Sequence, residues 1–148
     1  MSAGGDVEIG MRAAEVLRRA GFVRRGECWV RDVGPFRWLV EPQRAVYAAR
    51  LTLNLGLCIR TLSPMLPWVS TDRPSLMGEA QRWTRLGRVE PDGRDRWWDV
   101  SGDPGAALVD MARVLEAHGL SWLRTEARPD PFLRFSEARR ARTSTELN

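Results

Sequence analysis

The order of patterns along the chain predicts an α+β fold, with an antiparallel meander sheet of about five strands and an N-terminal and a C-terminal helix packed on one face. Three observations carry this. Val7, Met11, Ala14 and Leu17 recur at helical spacing. Leu51, Leu53, Leu55, Leu57 and Ile59 alternate with Thr52, Asn54, Gly56, Cys58 and Arg60, the period of a strand. Leu108, Met111 and Leu115 then return to helical spacing. At 148 residues the chain has room for one domain with its own core, expected over 1–127, followed by a polar tail over 128–148 that reads as frayed.

The first helix is expected from a cap at Asp6 to about Ala20, with Arg18 and Arg19 in its last turn, where cations suit the helix dipole. Gly21 reads as the left-handed residue that ends it, and Phe22 as the side chain that packs back on Leu17. Residues 22–60 read as strands. Cys28–Arg31 is a short extended run and Val33-Gly34-Pro35 a turn. Phe36, Trp38 and Val40 then alternate with Arg37, Leu39 and Glu41 until Pro42 breaks the pattern. The strand at 51–60 has one aliphatic face and one small, polar face, which suits a sheet covered on one side only. Its uncovered side is the expected binding surface, with Thr52 and Asn54 on it.

Ser63–Gly78 carries Pro64, Pro67 and Pro74 around Trp68 and reads as a long loop. A hairpin is expected next: Arg82–Val89, a turn through Pro91-Asp92-Gly93, then Asp95–Val100. Asp103 and Pro104 open the second helix, which His118 and Gly119 are expected to close; Trp122 and Leu123 dock the chain end.

Composition narrows the chemistry. The 23 basic residues are all arginine, so Schiff-base lysines and the Walker lysine are excluded. Against 19 acids the net charge is only +4, and the arginines and acids are mixed along the whole chain. No concentrated basic stripe is present, which argues against nucleic acid as a partner. One histidine, His118, and two cysteines, Cys28 and Cys58, cannot form a Cys2His2 zinc site, and the cysteines read as reduced. Glu90, Asp92, Asp95 and Asp99 lack calcium-loop spacing, and G-x-S-x-G, G-x-G-x-x-G and the P-loop are absent. No cofactor and no metal is expected. The start lacks the apolar stretch of a secretory signal, and no run is long enough to span a membrane, so a cytoplasmic protein is expected.

Several pieces in a fixed order resemble the bacterial family called domain of unknown function 4304. They are Leu17-Arg-Arg-Ala-Gly-Phe22 with Arg24-Arg25-Gly26, Leu51-Thr-Leu-Asn-Leu-Gly-Leu57, Arg85-Leu-Gly87, Asp95-Arg-Trp-Trp98 and Leu120-Ser-Trp-Leu123. The resemblance spans about residues 10–125 and implies the same single α+β domain. It implies no reaction and carries over no catalytic residue.

The densest candidate site is the arginine–tryptophan stretch Arg82, Trp83, Arg85, Arg88, Trp97 and Trp98. Guanidinium groups over indoles can simply brace a fold, yet exposed tryptophan and arginine are also the types enriched at binding hot spots. Trp97 and Trp98 must point to opposite faces of a strand, one into the core and one outward. The leading expectation is a small non-enzymatic module that binds a protein partner through the open sheet face and the Arg82–Trp98 hairpin. The alternative is an enzyme or small-ligand binder with a pocket between the sheet and the Ser63–Gly78 loop, where Arg85 and Arg88 hold an anion. Self-association as a homodimer through a sheet edge is a third. A nucleic-acid-binding module, with the same tryptophans as base platforms and arginines on phosphates, is a further alternative that the even spread of charge disfavours.

Overall fold

The computed structural model describes residues 9–60 and 76–127. The elements run α1 (Met11–Arg19), β1 (Val23–Arg25), β2 (Cys28–Val33), β3 (Phe36–Arg44), β4 (Arg50–Ile59), a 3-10 turn (Leu76–Glu79), β5 (Arg82–Arg85), a second 3-10 turn (Leu86–Val89), β6 (Trp98–Asp99), α2 (Pro104–Val114) and α3 (Leu120–Glu126). The expected fold class is present: an antiparallel sheet in the order β1-β2-β3-β4-β5, with β6 also beside β4, and helices against one face. The expected cap at Asp6, most of the proline loop and the tail from 128 lie outside the described residues.

Helix α1 ends as its sequence requires. Gly21 adopts φ 86, its N–H donates to the Arg18 carbonyl at 3.0 Å, and the Phe22 N–H donates to that of Leu17 at 2.9 Å. This double closure satisfies the last carbonyls of the helix and folds Phe22 into the core. The start differs from expectation: Gly10, at φ 82, interrupts any helix rising from Asp6, and α1 begins at Met11. A side chain at Gly10 would also stand 2.9 Å from Leu108 Cβ, so this is where α1 meets α2.

Strand β4 is the centre of the sheet, pairing with β3 along one side and with β5 and β6 along the other. Leu51, Leu53, Leu55 and Leu57 are buried in the main core with Leu17 of α1, Met111 of α2 and Leu123 of α3, and each such side chain contributes about 1.5–3 kcal/mol by leaving water. Pro42 does not end β3, which runs through it to Arg44 with Pro42 opposite Leu53. The β2 ladder stops at Val40, so Pro42 sits where β3 has become a free edge and its missing N–H breaks no ladder bond.

Two expectations of local structure are corrected. Residues 82–100 are not a hairpin: β5 pairs with the Asn54–Leu57 part of β4, whereas β6 pairs with Arg50 and Leu51. Leu86 turns into the core and ends β5, and the chain returns across Gly87, where a Cβ would lie 2.5 Å from the Arg96 backbone nitrogen. The turn itself is present, with Gly93 at φ 65 and its N–H donating to the Glu90 carbonyl. Nor does the second helix close at His118 and Gly119. It passes through a π-turn at Leu115–Gly119 into α3. Gly119 is helical, and a Cβ there would stand 2.9 Å from Leu86 Cδ1 and 3.0 Å from Leu115 Cδ1, so glycine is required for close packing rather than for a stop. Asp103 does cap α2, accepting from the Ala106 N–H at 3.0 Å, with Pro104 in the first turn.

The sheet face away from the helices is the largest correction. It is not open along its length. Cys28, Val30, Leu39 and Cys58 form a second buried cluster beneath Leu76, Met77 and Ala80. Gln81 clamps this cover, its Oε1 accepting from the Ile59 N–H at 2.7 Å.

Candidate functional site

The second face is closed at both ends and open in the middle. At one end the 76–80 segment covers Cys58. At the other, Thr52 is fully buried, its hydroxyl donating to the Arg96 carbonyl at 3.2 Å. Thr52 is therefore not on an exposed surface as expected: its hydroxyl fastens the returning chain to β4. Between the two covers lies a groove of about 450 Å³ lined by Glu41, Gln43, Asn54, Met77, Trp83 and Arg85, among others.

Register explains which residues meet there. Glu41 of β3 lies opposite Asn54 of β4, which lies opposite Arg85 of β5. One step along, Leu39, Gly56 and Trp83 form the next row. Trp83 lies at the exposed edge of this row and keeps 57% of its surface in water.

Arg85 is held from several sides. Its guanidinium carbon lies 5.7 Å from the Trp83 ring centre and 5.4 Å from that of Trp97, and its Nη1 donates to Asp95 Oδ2 at 3.0 Å. Desolvated guanidinium–indole pairs contribute on the order of 1 kcal/mol each, so two of them with an ion pair give a rigid cation rather than a mobile one. Its Nε is buried with no hydrogen-bond partner. Asn54 donates from Nδ2 to Gln43 Oε1 at 3.0 Å, while its own Oδ1, also buried, has none. Glu41 is half-buried, and burial first, with the nearby Glu27 carboxylate adding to it, pushes its carboxyl above the ordinary value of 4.5.

The structure thus brings together Asn54, Trp83 and Arg85, with Trp97 as the inner brace, and sets the other expected residues apart. Arg82 points to the helix side and pairs with Glu126 of α3. Arg88 is exposed and reaches no nearer than 3.9 Å to the Asp95 carboxylate. Trp98 is a core residue whose indole N–H donates to Asp110 Oδ2 at 3.0 Å, with Arg96 over its ring. Burial opposes ionisation of Asp110, but the Trp98 N–H and the guanidinium groups of Arg113 and Arg96 outweigh it and hold the carboxyl below its ordinary 3.8. Glu41, Gln43 and Met77 were not singled out by sequence. The alternation on β3 does place Glu41 and Gln43 on one face, but only the β3–β4 register puts that face beside Asn54.

Among the described residues the other reactive side chains are shielded or already engaged. Burial, first among the causes, pushes both cysteine thiols up to about 12, so neither supplies a thiolate. Glu90 pairs with Arg96, Asp95 with Arg85, and Asp99 accepts from Ser101. Among the described residues no group of three or more His, Cys, Asp or Glu could hold a metal ion, and no helix is long and apolar enough to cross a membrane. A second cavity of about 300 Å³, lined among others by Arg44, Leu51, Val100 and Leu108, contains none of the expected site residues.

Set against known proteins, the chain matches no protein-family model, no curated protein and no solved structure.

Proposed function

We propose that this chain is a binding module whose working surface is the groove between Glu41, Asn54 and Arg85, rimmed by Trp83, and that its partner is another protein. The observation that carries the reading is the pairing of a largely exposed Trp83 with a rigid Arg85 at a polar groove. Preorganised aromatic and arginine side chains lose little entropy on binding, which is why they dominate protein interfaces. The proposal replaces the broad open sheet face and the hairpin with this smaller patch. A cytoplasmic location and kinship with the domain of unknown function 4304 family are part of the same proposal and rest on the sequence alone.

An anion-holding pocket is the second reading, favoured by the groove's position between the sheet and Met77-Gly78. It is the weaker one, because the Arg85 charge is already matched by Asp95 and Arg88 lies outside the groove. The test is affinity capture from the native host with wild type, Trp83→Ala and Arg85→Ala, each first shown to melt cooperatively. The reading expects one stoichiometric species captured by wild type and lost with both variants. Equal capture by all three would refute it.

A further inference from the structure

The groove is electrically uneven, and the unevenness points to the chemistry of what it receives. Several carboxylates among the described residues are matched by arginine: Asp32 by Arg37, Asp95 by Arg85, Glu90 by Arg96, Asp110 by Arg96 and Arg113. Glu41 is not matched in this way. It lines the groove, is half-buried, and among the described residues has neither an ion pair nor a side-chain hydrogen bond.

Its surroundings do not compensate. From β1–β2 the groups acting on it are Glu27, a like charge, and Cys28, whose thiol stays neutral. From β4 it faces Asn54, whose Oδ1 is an acceptor without a donor. From β5 comes Arg85, two strands away and held by Asp95. A half-desolvated carboxylate with no counter-charge is unfavourable for folding and becomes favourable only when a cation arrives. The neighbouring surface also suits a cation: Trp83 already takes one guanidinium against its ring and leaves more than half its area free.

We infer that the Glu41 end of the groove is the seat of a basic side chain, arginine or lysine, of the partner protein, held between the Glu41 carboxylate and the free surface of the Trp83 indole. The inference rests on the proposed partner-binding role of this groove and names the chemistry of what enters it. It also accounts for a half-buried acid that, among the described residues, no arginine pairs with.

The test uses the full chain and two probe peptides, acetyl-Gly-Gly-Arg-Gly-Gly-amide and its uncharged citrulline twin. Titration is followed on the Trp83 indole N–H resonance, assigned with Trp83→Phe. The arginine peptide is expected to bind saturably and the citrulline twin at least tenfold more weakly. Glu41→Gln is expected to reduce the arginine peptide to the level of the twin while leaving the fold intact by its amide spectrum. No saturable binding, equal binding of the two peptides, or unchanged binding in Glu41→Gln would each overturn the inference. The two claims separate cleanly. Partner capture that depends on Trp83 and Arg85 but not on Glu41 would leave the binding role standing and remove the cation seat. Capture insensitive to Trp83 and Arg85, with the peptide still bound through Glu41, would do the reverse.

Discussion

Replacing Gly56 by alanine separates a covered second face from an open one by the sign of a stability change. Gly56 lies in the middle of β4, and a Cβ there would stand 2.6 Å from Met77 Sδ and 3.1 Å from Ala80 Cβ. On an open face the methyl group would meet only water, and alanine in a strand interior would be more stable than glycine by about 0.5–1 kcal/mol. Under the observed cover the Met77 thioether must swing aside and Ala80 give by a few tenths of an ångström, an overpacking cost of about 1–3 kcal/mol. Subtracting the backbone gain leaves a net loss centred on about 1 kcal/mol and at most about 2.5 kcal/mol, a fall in melting temperature of roughly 3 °C at the centre of that range for a chain of this size. Urea unfolding followed by circular dichroism measures it. Met77→Ala in the same chain serves as the control, because removing the thioether should return most of the loss. A Gly56→Ala protein more stable than wild type would refute the covered face.

Other expectations follow from the same contacts. Thr52→Val removes the hydroxyl that bonds the Arg96 carbonyl and should cost about 1 kcal/mol in urea unfolding without weakening partner capture; weakened capture with unchanged stability would return Thr52 to the binding surface. Because burial raises the Glu41 carboxyl above 4.5, its ionised form opposes folding, so the penalty is absent below about pH 4.5 and grows as pH rises through the folded value. Glu41→Gln should therefore melt higher than wild type at pH 7 and no higher at pH 3.5; the same gain at both pH values would contradict this. Asp32, held down first by its hydrogen bond from Arg37, and Asp110 both ionise below their ordinary 3.8. Their contribution is complete above that value and is lost as pH falls through the folded values, so acid unfolding should steepen below about pH 4, and less so in Asp32→Asn. An identical acid limb in that variant would argue against the Arg37–Asp32 bond.

What could be read from the sequence was local. Leu17 to Phe22 encodes its own helix ending, Asp103-Pro104 its own helix start, and the β4 leucines their own face, because each signal is completed within a few residues. What escaped depends on distant partners. The alternation of Thr52, Asn54, Gly56 and Cys58 is the same whether their side meets water or Met77 and Arg96. Gly119 gives the same local signal as a helix stop and as a close approach to Leu86. Pro42 reads as a strand breaker unless it is known that β2 ends before it. The candidate site divides the same way: Asn54, Trp83 and Arg85 stand out by residue type, whereas Glu41 matters only through a register that places it across from Asn54 and, among the described residues, without an ion pair.

The most direct measurement is fluorine NMR of the chain labelled with 5-fluorotryptophan, with a soluble paramagnetic agent added before and after the arginine peptide. Seven tryptophans give resolvable signals, each assigned by a single Trp→Phe variant. The account predicts strong broadening of Trp83 in the free protein, little for the buried Trp29, Trp38 and Trp98, and protection of Trp83 when the peptide binds. A Trp83 signal already shielded in the free protein, or one left equally broadened by saturating peptide, would contradict it.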